Sequence, residues 1–323
     1  MTALEKMISS WRKYRSLQKL PDGFISRHVT KPIECLLLPF VLRLPVEPNF
    51  WTAVSLGLKI LSAVWLLTAR SAVILPLLLG MSLIADGFDG DVARYRRRGT
   101  FLGAFFDPVA DALGTGAIAV AFGIRLAREC GGGPFAALII PAFEVLFQTV
   151  VILNDLTGVF LRRFRRPPVW WQRLLKQGYL PYYHMDFFYL MVTLAPAIGF
   201  STAGSVILLA QMISIVFLGR QYWTASRLSP EGEVCRTGFL RKILVRIAMM
   251  GLFWGGGRWV LVALGRDPAG AVVFILPEYI FFFSVATWIS KQALGKPRHP
   301  DEAKLLEERL RRLDEDFLRR LWP

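Results

Sequence analysis

Acidic side chains are scarce in this sequence. The 323 residues contain 24 Asp and Glu against 39 Lys and Arg, a formal net charge of +15. Cysteine is scarcer still: Cys35, Cys130 and Cys235 show neither paired nor metal-like spacing, so no disulfide framework is implied. No internal repeat and no low-complexity linker divides the chain. The first twenty residues, MTALEKMISSWRKYRSLQKL, lack the continuous apolar run of a signal peptide. Their Leu4, Met7, Ile8, Trp11 and Leu17 recur at helical spacing between basic residues. The expectation is an amphipathic helix, lying on a membrane surface or packed on the rest of the protein.

What the chain has in abundance is apolar sequence, 54% of residues, with a mean hydropathy of +0.43. So basic a protein could bind nucleic acid. A nucleic-acid binder keeps its apolar residues in a compact core, however, and here they form long runs between arginine clusters, which points to a bilayer and to no nucleic acid. A membrane helix needs roughly 20 apolar residues. Eight stretches approach that length, from about Phe50 to Ala69, Ala72 to Ile84, Gly103 to Ile124, Phe135 to Phe160, Tyr183 to Phe200, Ala203 to Tyr222, Ile243 to Leu264 and Ala271 to Ile289. The seventh is interrupted by Gly255, Gly256, Gly257 and Arg258 and is the least regular of the set.

Lys and Arg in short loops set topology. Arg94, Arg96, Arg97 and Arg98, then Arg162, Arg163, Arg165, Arg166, Arg173 and Lys176, and further clusters near Arg227 and Lys291, all fall on one side of an eight-span arrangement. The other side offers Arg70, Arg125, Arg128 and Arg266. The expected fold is therefore all-α, a polytopic membrane helix bundle with both termini cytosolic. Its expected divisions are an interfacial segment 1–46, a six-helix core 47–225, two additional spans in 226–295 and an amphipathic C-terminal helix 296–323. In that last helix Leu306, Leu310, Leu313, Phe317 and Leu321 share one face among alternating charges.

Against this background the acids near the end of the second apolar stretch stand out, in IADGFDGDVARYRRRGTFLGAFFDPVAD. Ionisable residues at the ends of membrane helices are costly and are functional candidates by default. Asp86 and Asp89 are three apart and Asp107 and Asp111 four apart, so each pair occupies one face of its helix. A short loop from about Tyr95 to Thr100 would bring the pairs together. Four carboxylates in one pocket cannot all stay ionised unaided, because mutual repulsion and desolvation penalise the charged form. Two divalent cations would cancel their charge. Oxygen-only ligands indicate Mg²⁺ or Mn²⁺, and such a two-ion site suits displacement at phosphorus. Asp91 lies about 140° from Asp86 on a helical wheel and is left outside the ligand set.

The residues around these acids agree. Gly87, Gly90, Ala93 and Gly103 leave room for a bulky substrate or for a neighbouring helix. Arg94 is suited to clamping phosphate oxygens, while Arg96, Arg97 and Arg98 are accounted for by topology.

The run Asp89, Gly90, two residues, Ala93, Arg94, eight residues, Gly103, three residues, Asp107, three residues, Asp111 resembles the signature of the CDP-alcohol phosphotransferases, with Asp86 as the additional upstream acid. The surrounding six-helix core also looks like that family. The resemblance implies that an acceptor hydroxyl attacks phosphorus on the alcohol side of a CDP-alcohol, forming a phosphodiester and releasing CMP. It implies metal binding by Asp86, Asp89 and Asp107, a general-base role for Asp111 close to a second ion, and a CDP site bordered by Gly90, Ala93 and Gly103.

The substrate sites are expected on either side of this cluster. Asn49, Thr52, Ser55 and Lys59 fall within about 120° of a helical wheel, a polar stripe that could face the nucleotide. Pro48 and Asn49 resemble the Pro-Asn that opens the first span in many relatives. Lys59, near mid-span, costs roughly 2.5–3.5 kcal/mol to insert and requires a partner, such as Glu144 or a substrate phosphate. For the acceptor, Lys59, Arg162, Arg163, Arg165 and Arg166 are candidate anion ligands, with His184 and Asp186 nearby. Asp22, Gly23, Ser26 and Arg27 resemble a segment of the inositol-phosphate-using branch. The expected donor is CDP-diacylglycerol and the expected acceptor a polar alcohol or polyol phosphate; the alternative is a soluble CDP-alcohol with a lipid acceptor. A homodimer is compatible with the extra spans. An intramembrane prenyltransferase would need a second acidic motif on a distant helix pair. A divalent-metal transporter would place its carboxylates near mid-membrane at broken, repeated helices.

Overall fold

The computed structural model describes residues 25–68, 73–96, 101–133, 135–147, 184–227, 232–277 and 280. Among them every regular element is helical. A π-helical turn, Ser26–Thr30, leads into α1 (Lys31–Val41). There follow α2 (Pro48–Thr68), α3 (Ile74–Arg96), α4 (Phe101–Glu129), α5 (Phe135–Phe147), α6 (His184–Ile198), α7 (Phe200–Arg227) and α8 (Gly232–Ala263).

Two described helices, α2 and the Phe106–Glu129 part of α4, are long and apolar enough by themselves to cross a bilayer. Their surroundings differ. A third of the apolar window of α2 is buried against protein, compared with 72% for α4. Leu61 and Val64 of α2, Leu77 and Met81 of α3, Ile213 and Val216 of α7, and Leu244 and Leu252 of α8 all face outward. Apolar side chains turned outward around a bundle whose inside is also apolar are what a membrane solvent dictates. The fold is an all-α membrane helix bundle.

α4 is its axis. On one face Ile118 and Phe122 pack with Leu66 of α2, Leu75 and Leu79 of α3, Phe188 and Val192 of α6, and Ile207 of α7. On the other, Val120 and Ile124 meet Val145 of α5, Met250 and Trp254 of α8, and Val272 and Ile275 beyond it. A third cluster pins α1 over the end of α3 that carries the aspartates, through Leu38, Val41, Phe88 and Val92. Gly199 alone links α6 to α7, with φ 89°. That backbone conformation strains any residue with a Cβ.

Two expectations need correction. The Gly255–Arg258 stretch does not break its span; α8 runs unbroken from Gly232 to Ala263. In hydrocarbon an unpaired backbone group costs several kcal/mol, so the chain stays helical despite poor local propensity. Gly257 serves packing, since a Cβ there would collide with the Phe274 ring, whereas a Cβ on Gly255 or Gly256 would meet open space. The eighth stretch, expected as helix from Ala271, begins as the 3₁₀ turn Pro268–Phe274. The amphipathic N-terminal helix before residue 25 and the C-terminal helix after 296 lie outside the described residues.

Candidate functional site

α3 and α4 follow one another across the short connection between Arg96 and Phe101, and each packs along α2. Their facing ends carry the four aspartates. Carboxylate oxygens of Asp86, Asp107 and Asp111 lie within 4.8 Å of one another. Asp89 is within hydrogen-bonding reach of Asp107, and Asp86 of Asp111. The sequence spacing thus produces two facing pairs. Asp89 and Asp107 form the outer pair, nearer the connection, and Asp86 and Asp111 the inner one.

The polar stripe of α2 faces these pairs and bonds to the carboxylates themselves. Thr52 Oγ1 donates to Asp89 Oδ2 at 2.6 Å. One turn on, Ser55 Oγ donates to Asp86 Oδ1 at 3.1 Å. A further turn on, Lys59 Nζ donates to that same oxygen at 3.1 Å and to Asp111 Oδ1 at 2.6 Å. Lys59 is 2% exposed, whereas Asp86 and Asp111 are 31% and 36% exposed. The expected buried ion pair is present, but its partner is not Glu144. Glu144, buried in the bundle core, accepts a hydrogen bond from Gln211 Nε2 at 2.7 Å. Helical spacing shows which face Lys59 occupies and leaves open which helix that face meets.

Arg94 lies along its own helix, its guanidinium over Gly90 and 2.6 Å from Asp91 Oδ1. Asp91 is fully buried and is not one of the three acids that converge, in keeping with its position on the wheel. Arg96 has a structural task beyond topology, donating to the carbonyls of Leu44 and Val46 and so fixing the connection from α1 to α2. Asn49 sits in the first turn of α2, Ala93 one residue before Arg94, and Gly103 one turn before Asp107 on the same face of α4. Gly87 admits a neighbouring helix: a Cβ there would collide with the Glu34 carboxylate.

A cavity of ≈ 130 Å³ adjoins the inner pair, lined by Ser26, Thr30, Lys31 and Glu34 on one side and Lys59, Asp86, Asp111, Asp186 and Tyr189 on the other. Lys31 and Glu34 form an ion pair at 2.8 Å, and Tyr189 OH meets Thr115 Oγ1 at 3.0 Å. Asp186, expected beside an anion site, caps the N-terminal segment instead. Its Oδ2 accepts from the backbone N–H groups of Ile25 and Ser26 at 3.0 and 3.1 Å, and its Oδ1 from Ser26 Oγ at 2.7 Å. Sequence reasoning missed Glu34, Lys31 and Tyr189. Glu34 had a signal: it shares the buried face of α1 with Leu38 and Val41, at i, i+4 and i+7. Arg162, Arg163, Arg165 and Arg166 lie outside the described residues.

The donor set fits a hard divalent cation. It is all carboxylate, convergent and partly open to solvent, and hydroxyl donors orient two of its members. Few purely structural arrangements gather four acids at one end of two membrane helices.

Comparison with known proteins agrees with this geometry. The family model described as CDP-alcohol phosphatidyltransferase matches residues 46–216, just over half of the chain. A protein of Thermococcus kodakarensis named bifunctional IPC transferase and DIPP synthase is 37% identical over 90 residues, 28% of this chain and 20% of the relative. Proteins of the same name from Rubrobacter xylanophilus and Aquifex aeolicus are 30% identical over 143 residues and 32% over 96. These alignments cover 43% and 30% of this chain, and 31% and 22% of the relatives. The chain thus spans between a fifth and a third of the length of the relatives it matches. The family match begins just before α2, ends within α7 and encloses all four convergent aspartates, so the chain belongs to the CDP-alcohol phosphatidyltransferase family.

Proposed function

We propose that this protein transfers a substituted phosphate group from a CDP-alcohol to the hydroxyl of a compact polar acceptor and releases CMP. The donor is CDP-diacylglycerol and the acceptor a polar alcohol or polyol phosphate, which places the protein in phospholipid biosynthesis. The observation that carries this reading is the convergence of Asp86, Asp107 and Asp111 beside a small polar cavity. A cavity of that size and lining suits a polyol better than a lipid chain. Lys31 and Lys59 on its walls are already engaged by Glu34 and by Asp86 and Asp111, so Arg162, Arg163, Arg165 and Arg166 are the candidate anion ligands for a phosphorylated acceptor. The resemblance of the Ser26 segment to inositol-phosphate-using relatives supports the same choice.

Asp86, Asp89, Asp107 and Asp111 would hold two Mg²⁺ or Mn²⁺ ions. When bound, these supply charge neutralisation for the pyrophosphate and its leaving group. Asp111, on the cavity side of the cluster, takes the proton from the acceptor hydroxyl as it attacks phosphorus. Thr52 and Ser55 hold Asp89 and Asp86 in orientation through their hydroxyls. Gly90, Ala93 and Gly103 leave space for the cytidine diphosphate, bordered by Asn49 and Thr52. Arg94 has five guanidinium N–H donors, so it can hold Asp91 and still contact a phosphate oxygen. Residues 47–225 form the catalytic core, and the arginine distribution puts its active end on the cytosolic side.

The test is CMP release by the purified chain from CDP-diacylglycerol with a panel of alcohols and polyol phosphates, in the presence of Mg²⁺ or Mn²⁺. Metal-dependent release with a polar acceptor is expected. Release only from soluble CDP-alcohols in the presence of a lipid alcohol would reverse the donor assignment, and no release from any CDP-alcohol would refute the reaction.

A further inference from the structure

Lys59 does more here than balance charge. Its Nζ lies between Asp86 Oδ1 and Asp111 Oδ1, the place from which a divalent cation would bridge the inner pair. We propose that Lys59 is a positioning residue whose ammonium holds this inner seat, so that the outer pair loads its cation first and the inner cation binds only by displacing Lys59. The inference rests on the metal-binding reading of the four aspartates.

Three observations carry it. Both oxygens that would bridge a cation are committed to the same ammonium, at 3.1 and 2.6 Å. Mg²⁺ holds oxygen at about 2.0–2.1 Å, so ligands sharing one ion lie at most about 4.2 Å apart. Carboxylate oxygens of Asp86 and Asp111, within 4.8 Å of each other, need close only slightly once the ammonium leaves. Second, the lysine is built into this position. Its stem occupies the groove that Gly114 leaves on α4, where a Cβ would come within 2.9 Å of Lys59 Cβ, and its side chain is 2% exposed. Third, α2 meets Asp89 of the outer pair through the uncharged Thr52 hydroxyl and not through an ammonium. Seen from α2, the two pairs differ in charge.

Titrating the full chain in detergent micelles with Mn²⁺, and following free Mn²⁺ by electron paramagnetic resonance, tests this directly. The wild type should bind one ion at least tenfold more tightly than the second. Lys59→Met keeps the apolar stem in its groove and removes the charge; its second step should tighten to within about threefold of the first. Lys59→Arg should keep the gap. An unchanged gap in Lys59→Met, or equal weakening of both steps, overturns the inference. So does a gap that Ser55→Ala abolishes equally, because Ser55 supports Asp86 without charge. A measurement on the wild type guards against misfolded variants: the side-chain ¹⁵N resonance of Lys59 should move with the second equivalent of Mg²⁺. Movement complete at the first equivalent, or no movement at all, overturns the inference. Absence of Mn²⁺ binding by the wild type overturns the metal reading as well, whereas two steps insensitive to Lys59 overturn this inference alone.

Discussion

The two aspartate pairs share the same pair of helices, and α2 treats them differently. At the outer pair it offers Thr52, a hydroxyl; at the inner pair it offers Ser55 and the ammonium of Lys59. A hydroxyl orients a carboxylate and leaves its charge intact, whereas an ammonium neutralises it. The inner carboxylates are therefore already partly compensated by the chain itself, deeper in the bundle where uncompensated charge costs most. The outer ones depend more on what arrives from solution. One helix thus gives two chemically identical pairs different standing.

The contrast can be broken most severely at Asp111. Asp111→Asn removes the proposed base and should lower kcat by about 10²–10⁴-fold, while Mn²⁺ still binds at the outer pair; wild-type turnover would end that assignment. Next in size are Asp89→Asn and Asp107→Asn. Each should raise the Mn²⁺ concentration needed for half-maximal activity by at least about tenfold and weaken Mn²⁺ binding in parallel, because both remove outer ligands. Unchanged Mn²⁺ affinity in both variants would mean that the outer pair holds no ion. Thr52→Val preserves the ligands and removes only the hydroxyl on Asp89. A roughly tenfold loss of affinity is expected, confined to the tighter of the two binding steps measured with Mn²⁺ alone. The smallest effect belongs to Gly87→Ala, which pushes the Glu34 carboxylate off α3. It should raise the KM for the acceptor and leave that for the donor unchanged, with a stability loss of about 1–3 kcal/mol in thermal unfolding.

Much of this centre could be read from the sequence, because helical periodicity is local. The spacings of Asp86, Asp89, Asp107 and Asp111, and of Thr52, Ser55 and Lys59, require only 3.6 residues per turn, and the hydrogen bonds from α2 to the carboxylates follow them. What faces them is not local. Lys59 meets Asp111 across 52 positions, and Asp186 meets Ser26 across 160. Neither contact leaves a mark on the residues in between. The unbroken α8 teaches a related lesson, since three consecutive glycines weaken a helix in water but in hydrocarbon leave the backbone no better option than staying helical. Arg94 pairs with Asp91 in the structure, an i, i+3 contact that the spacing alone already allowed.

The clasp at Asp186 has a consequence for the order in which the protein is made. All four aspartates have been synthesised by residue 111, long before α6 exists. Until Asp186 follows, the backbone N–H groups of Ile25 and Ser26 lack the carboxylate that anchors them, and the cavity lacks its Tyr189 wall. The last part of the proposed acceptor recess to be synthesised is thus the one that secures the first, so the nascent chain possesses its acids well before that recess is complete.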